Sequence, residues 1–262
     1  MDAHAHGDPL ARKKLADFSA RSVTYPDLTI CILTYRRPWY AAMTLSACKQ
    51  IRYAGKVKFH IADGGSDPND FQYFRQIADG QELTIEVVDN PSWMVNSCAH
   101  HGGDVWIMAV DDMCPRFPFD VTPDVDLLMT HPEIGCVRFS RLAFWGSSGG
   151  DPETSADLVK CDGMHWWRID KARSKDSYLC NLGFHLYHRR FWDAYGDLEE
   201  PARAHELGHA EMIASERFRL KEGSTIAVPM RFGQDAGEFR EPIWHFGVWR
   251  TDELAKVARS RL

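Results

Sequence analysis

The sequence predicts an α/β protein with a mostly parallel central sheet flanked by helices, followed by a less regular C-terminal half. Continuous apolar runs suited to buried strands recur at Leu28–Thr34, Val57–Ala62, Leu83–Val88 and Val105–Val110. Between them lie segments with apolar residues at helical spacing, and successive β-then-α units favour parallel strands joined by right-handed crossovers. Composition agrees: 44% hydrophobic and 26% charged residues in a chain of 262 supply a sizeable core.

Taken in order, residues 1–26 read as a polar leader, and LTICILT (Leu28–Thr34) is the first strand. Pro38 stands where a helix can begin, because its fixed φ and missing N–H suit a first turn, and WYAAMTLSACKQI follows. VKFHIA (Val57–Ala62) is the second strand, ended by Asp63-Gly64-Gly65-Ser66-Asp67-Pro68. A helix over 69–79, a strand at Leu83–Val88, a helix over 92–101 and a strand at Val105–Val110 follow, the last stopped by Asp111-Asp112. Beyond it the pattern gives a helix at 124–130, a strand at 135–140, a Gly/Ser-rich loop at 145–157 and a strand at 182–187. A short helix at 189–195, a polar loop at 196–206, a helix at 207–222 ending at Gly223, a strand at 225–228 and a basic amphipathic tail complete it. No linker-like stretch divides the chain, so residues 27–262 are expected to form one domain with halves at 27–118 and 119–262.

The same sequence narrows the function classes. Lys plus Arg is 31 and Asp plus Glu is 37, so a generally basic nucleic-acid surface is not expected. No apolar run is long enough for a transmembrane segment, and the opening MDAHAHGDPL has no secretory h-region. The seven cysteines include no CxxC pair and sit mostly in apolar runs, which points to reduced, buried thiols in a cytoplasmic protein.

In a parallel α/β sheet, ligands bind beyond the carboxyl ends of the strands. Three strand ends here carry ligand-type groups: Thr34-Tyr35-Arg36, Asp63-Gly64-Gly65-Ser66 and Asp111-Asp112. Carboxylates gathered at one rim attract a hard divalent cation, Mg²⁺ or Mn²⁺, which in turn holds a diphosphate. Arg36-Arg37 either clamps that diphosphate or caps the sheet edge, and Arg138, Arg141, Arg168, Arg189 and Arg190 read as solvated charges.

LTICILTYRRP, HIADGGSDP and VNSCAHHGGDVWIMAVDDMCP together resemble the nucleotide-sugar-binding half of GT-A-fold (Rossmann-like), family-2-like glycosyltransferases. The resemblance covers roughly residues 27–118, and more loosely extends to 250. It implies transfer of a sugar from a nucleotide diphosphate sugar, by default a UDP-sugar, to a hydroxyl acceptor, with inversion and with Mn²⁺ or Mg²⁺. It implies that Asp63 contacts the base, that Thr34, Tyr35 and Arg36 line the base and ribose pocket, and that Asn96 supports the site. Val110 stands at the first acidic position of the family's DxD motif. Asp112 is then the main metal carboxylate and Asp111 faces the ribose or the sugar. Trp244-His245-Phe246-Gly247 resembles the segment whose His completes the metal site, which points to His245. LGFHLYHRRFWDAYGDLEE resembles the acceptor-side segment that precedes a helix carrying the catalytic base. There Glu211 is the first choice, with Glu206 and His209 as rivals. The acceptor is expected to be a saccharide stacking on Trp166 or Trp167, a small molecule, or a modified DNA base.

Two alternatives stand beside this reading. His205-Glu206-Leu207-Gly208-His209 fits H-E-x-x-H, which on a helix sets two imidazoles on one face for a zinc metallohydrolase. Ser215 stands where the extended metzincin motif has its third His. The missing first acidic residue at the rim suggests a catalytically silent nucleotide-sugar binder instead.

Overall fold

A computed structural model of the chain describes residues 24–139, 156–172, 183–198, 207–232 and 242–245. The expected front half is present: β1 (Leu28–Thr34), α1 (Pro38–Cys48), β2 (Val57–Asp63), α2 (Phe71–Ala78), β3 (Leu83–Val87), α3 (Pro91–His101) and β4 (Val105–Val110). Pro38 opens α1, as its chemistry predicts. Asn90 caps α3, its side chain accepting from the Ser92 N–H at 2.8 Å. Then come β5 (Met113–Pro115), α4 (Thr122–Thr130), β6 (Ile134–Arg138), β7 (Ala156–Cys161) and β8 (Met164–Ile169). The chain continues through β9 (His185–His188), α5 (Arg189–Tyr195), α6 (Leu207–Leu220), β10 (Thr225–Pro229) and β11 (Ile243–His245).

The main sheet has the order β3-β2-β1-β4-β9-β6-β10-β8-β7. Only β8 and β9 run against the others, so the sheet is mostly parallel by direction. Alternation along β1 divides the interior. Leu28, Ile30 and Ile32 pack with α1, α2 and α4 on one face, while Cys31 and Leu33 pack with α3, α5 and α6 on the other. Helices on both faces are what a sheet with apolar residues on both sides requires.

The back half departs from the sequence reading at particular points. Residues 156–169, of which 156 and 157 were read as the end of the Gly/Ser-rich loop and the rest were given no element, form the β7–β8 hairpin. Its turn is Asp162-Gly163, with φ of 44° and 78°, the two positive values that a tight two-residue hairpin turn demands. Arg138 is fully buried rather than solvated. Arg189 stacks on Trp106 and donates to the carbonyls of Ala99 and Gly103, and Arg190 donates to the carbonyls of Leu128 and Ile134. Arg189 and Arg190 thus serve backbone carbonyls near the ends of α3 and α4 and at the start of β6. Tyr25 and Pro26, read as the end of the leader, pack on the domain: Tyr53 Oη donates to the Pro26 carbonyl at 2.7 Å, and the Tyr25 and Tyr53 rings meet edge-on.

Six of the seven cysteines are described, and all six are buried free thiols, as expected. Burial raises the thiols of Cys48 and Cys98 well above their ordinary range, which keeps them inert. Among the described residues no helix is long and apolar enough to cross a membrane. The Gly/Ser-rich loop up to residue 155, Arg141 and the amphipathic tail lie outside the described residues.

Candidate active site

The carboxyl ends of β2, β1 and β4 lie side by side, so the three loops singled out in the sequence converge. Thr34 is in register with Asp63 on one side, and Leu33 with Val110 on the other. The Gly64 N–H donates to the Thr34 carbonyl at 2.7 Å and the Asp111 N–H to the Leu33 carbonyl at 2.9 Å, extending both ladders by one step into the loops.

Asp112 and His245 meet across this rim, although they are remote in sequence. β11 pairs antiparallel with β5, placing His245 opposite Met113 and so beside Asp112. His245 Nε2 lies 3.4 Å from Asp112 Oδ1. Burial pushes the Asp112 carboxyl up, but the His245 imidazole and the Arg37 guanidinium outweigh it and hold it below the usual carboxylate range. A charged carboxylate and an imidazole at this separation fit a divalent cation. Two ligands each about 2.1 Å from one ion, at angles between octahedral and tetrahedral, stand roughly 3.0–3.4 Å apart.

Asp111 takes a different part from the one expected. It is fully buried and turned inward, not toward a ribose or a sugar. Thr34 Oγ1 donates to its Oδ2 at 2.8 Å, Arg37 Nε donates to the same oxygen at 3.1 Å, and Arg37 Nη2 donates to Oδ1. Thr44 Oγ1, from α1, donates to the Asp111 carbonyl at 2.6 Å. With both oxygens engaged, the carboxylate has little left to offer a metal or a substrate. Arg37 also reaches Asp112 Oδ2 at 3.4 Å. Residue Arg36 makes this possible: its φ of 53° turns the chain so that Arg37, not Arg36, faces the carboxylates.

Burial pushes the Asp111 carboxyl up to about 7, against the opposing pull of Arg37 and Thr34. The folded state therefore binds this proton more tightly than the unfolded chain does. Its contribution to stability is full at low pH and is lost as pH rises from about 4 through about 7. Urea unfolding at several pH values is expected to show that decline in the wild type and a flatter profile in Asp111→Asn.

Asp63 is also fully buried and is spent on its own loop. Its Oδ2 accepts from the N–H groups of Gly65 and Ser66 at 3.0 and 2.8 Å, and Ser66 Oγ donates to its Oδ1 at 2.5 Å. Gly64 is required here, because a Cβ would stand 2.4 Å from the Tyr35 ring that lies over the loop. Tyr35 is 44% exposed, so its ring is open to a flat partner. The Arg36 guanidinium lies 5.2 Å from the centre of that ring.

Asn96, expected to support the site, ties α3 to the segment after α5. Its Nδ2 donates to the Leu198 carbonyl and its Oδ1 accepts from the Leu198 N–H, both at 2.9 Å. Asn96→Ala is expected to cost about 1–2 kcal/mol in urea unfolding, since a buried backbone donor and acceptor lose their partner together.

Trp166 and Trp167 separate by strand alternation. Trp166 is fully buried and donates its indole N–H to Asp124 Oδ1 at 2.9 Å, so its faces serve the core and not a saccharide. Trp167 points to the opposite face and is partly exposed. His209 and Glu211 lie in the first turns of α6, whereas His205 and Glu206 fall outside the described residues. The H-E-x-x-H segment is therefore not described as a unit.

Thr44 was missed, and Arg37 was read only together with Arg36 as a diphosphate clamp or an edge cap, not as the partner of Asp111 and Asp112. The signal for Arg37 was its position directly before the Pro that opens α1, one step past the strand-end turn.

No profile of a known protein family matches the sequence, and no curated protein sequence matches it. Solved structures match by fold. S. aureus TarS residues 1–349 in complex with UDP superposes with a TM-score of 0.55 at 10% identity, over 78% of this chain and 60% of that one. The same protein in complex with UDP-GlcNAc gives a TM-score of 0.52 at 10% identity, over 82% and 60%. The mannosyltransferase PcManGT from Pyrobaculum calidifontis, in complex with GDP-Man and Mn²⁺, gives 0.50 at 11% identity, over 95% and 71%. The chain spans about three fifths of the TarS structures it matches. The architecture is thus of the GT-A type, with a large, mostly parallel central sheet flanked by helices.

Proposed function

We propose that the chain is a metal-assisted glycosyltransferase that moves a sugar from a nucleoside diphosphate donor, by default a UDP-sugar, to a hydroxyl acceptor with inversion. One observation supports this above the others. Within a GT-A-type fold, the β5–β11 ribbon brings His245 to within 3.4 Å of Asp112, at the rim where β1, β2 and β4 end. Neighbours of this fold carry UDP-GlcNAc, or GDP-Man with Mn²⁺, in their solved structures.

Each residue has a share in that chemistry. Asp112 and His245 would hold Mn²⁺ or Mg²⁺, which when bound supplies the positive charge that a leaving diphosphate needs. Asp111 stays out of the ligand set and orients Arg37, whose guanidinium adds a second cation at the rim. Asp63 shapes the Gly64–Ser66 loop against which the exposed Tyr35 ring receives the base. On the acceptor side, Glu211 is the general base, with Glu206 and His209 as the other candidates. The base removes the proton of the attacking hydroxyl on the face opposite the leaving group. Trp167 offers an aromatic surface to a saccharide acceptor.

A hydrolysis screen of UDP-, GDP- and dTDP-sugars, with Mn²⁺ and with Mg²⁺, tests this. Release of nucleoside diphosphate from one donor supports the reading. Silence with every donor while UDP and GDP still bind would leave a nucleotide-sugar binder; silence with no binding would refute both.

A further inference from the structure

A second group of metal-ligating side chains lies at the outer edge of the sheet. His60 on β2, Thr84 and Glu86 on β3, and Ser97 and His101 one turn apart on α3 converge there. Strand register explains it: His60 is opposite Thr84, and Glu86 follows two residues later on the same face of the edge strand. The nitrogens of His60 and His101 and a carboxylate oxygen of Glu86 all lie within 4.8 Å of one another. The two imidazole rings stack at 4.1 Å, and Glu86 Oε2 is 3.6 Å from His101 Nδ1.

From this geometry we infer that His60, Glu86 and His101 form a site for a borderline divalent transition ion such as Zn²⁺, which would pin edge strand β3 to α3. The donor set is two imidazoles and one carboxylate, which suits Zn²⁺ and Co²⁺ better than the hard oxygen-seeking ions. The Ser97 hydroxyl marks the place. It is hydrogen bonded to His60 Nε2 at 2.8 Å and donates to Glu86 Oε2, so it bridges two of the three ligands. An ion taking that place must displace the hydroxyl and turn the His101 ring, because imidazole lone pairs lie in the ring plane and the stacked rings do not yet converge. His101 can turn, its side chain being 45% exposed, and Glu86 can follow, being 47% exposed. Thr84 Oγ1, 2.8 Å from His60 Nδ1, fixes the orientation of the buried ring from behind. Access is open: His101 borders two surface cavities of about 460 and 530 Å³, one toward Thr29, Lys58 and Asp104, the other toward Trp93 and His100.

The site uses no residue assigned above to donor binding, and its test uses no nucleotide. The probe is Co²⁺, titrated into tag-free full-length protein and followed by its visible ligand-field bands. Zn²⁺ competition and thermal unfolding serve as second readouts. The chain has twelve histidines, so loss on substitution assigns the site. The expected result, read in the Asp112→Asn background so that the rim site does not contribute, is one Co²⁺ per chain, with an affinity about tenfold or more weaker when His101→Ala or Glu86→Gln is added. Zn²⁺ should raise the unfolding temperature of that background but not of the two double variants. Both added substitutions change exposed side chains, and the metal-free unfolding temperatures show whether the fold is intact. Absence of the bands in the Asp112→Asn background, or bands there that survive both added substitutions, would overturn the assignment.

Discussion

Asp112→Asn is expected to lower donor hydrolysis by about a hundredfold or more in the presence of Mn²⁺, with little change in stability. The amide keeps the shape but loses the charge that the site depends on. Asp112 is held ionised by His245 and Arg37, so the wild type presents a full negative charge at neutral pH. Removing it takes away one of two protein ligands and about a hundredfold or more of the stabilisation a cation lends to a leaving diphosphate. His245→Gln should act in the same direction and less strongly, since the carboxylate remains. Steady-state release of nucleoside diphosphate, with Mn²⁺ varied, separates the causes. Activity restored by excess Mn²⁺ marks weakened metal binding; a loss at every concentration marks the charge itself. Unchanged turnover would remove Asp112 from the site.

Arg37→Met carries the second large effect, and it falls on stability as well as on the site. Arg37 bonds both oxygens of the buried Asp111 and reaches Asp112. Breaking a fully buried pair costs about 3–5 kcal/mol, but Arg37 is 42% exposed and Asp111 has the alternative of taking a proton. A loss of about 1–3 kcal/mol in urea unfolding at pH 8 is the discounted expectation. The sign with pH follows from linkage. Without the guanidinium the Asp111 carboxyl rises above its wild-type value of about 7, so it is protonated below neutrality and the penalty shrinks as pH falls. Arg37→Lys should recover only part of the loss, because an ammonium cannot span both carboxylate oxygens with a planar fork. A penalty independent of pH between 5 and 8 would contradict the pairing.

The front of the molecule was legible because its central strands, β1 and β4, are buried on both faces. LTICILT and VWIMAV are continuous apolar runs; the first ends in Tyr35-Arg36-Arg37 and the second in Asp111-Asp112, and both ends make the rim. His245 was legible only through its surroundings in the sequence; the physical link is the three-residue ribbon that pairs it with Met113, a long-range contact that local pattern does not encode. The β7–β8 hairpin was missed because Asp157, Lys160, His165 and Arg168 interrupt its apolar residues. The Asp162-Gly163 pair between the two alternating runs was the available signal. Trp166 was misassigned for a related reason. Adjacent tryptophans on a strand must face opposite ways, so only one of the two can meet a ligand. At the rim, the left-handed turn at Arg36 separates the two neighbouring arginines, leaving Arg36 beside the Tyr35 ring and Arg37 on the carboxylates. Asp111 turned from a donor-facing group into a buried anchor because Thr34 and Arg37 both reach it from the first strand and its loop.

In the proposed site a single ion is held by Asp112 and His245 on one side and by a diphosphate on the other. Pulsed electron paramagnetic resonance of Mn²⁺ bound to the protein with UDP measures both sides at once. The expected spectrum shows ³¹P coupling from the diphosphate and ¹⁴N coupling from an imidazole on the same Mn²⁺, with the nitrogen signal lost in His245→Gln and retained in His101→Ala. Mn²⁺ that couples to phosphorus but to no nitrogen, or a nitrogen signal that survives His245→Gln, would contradict it.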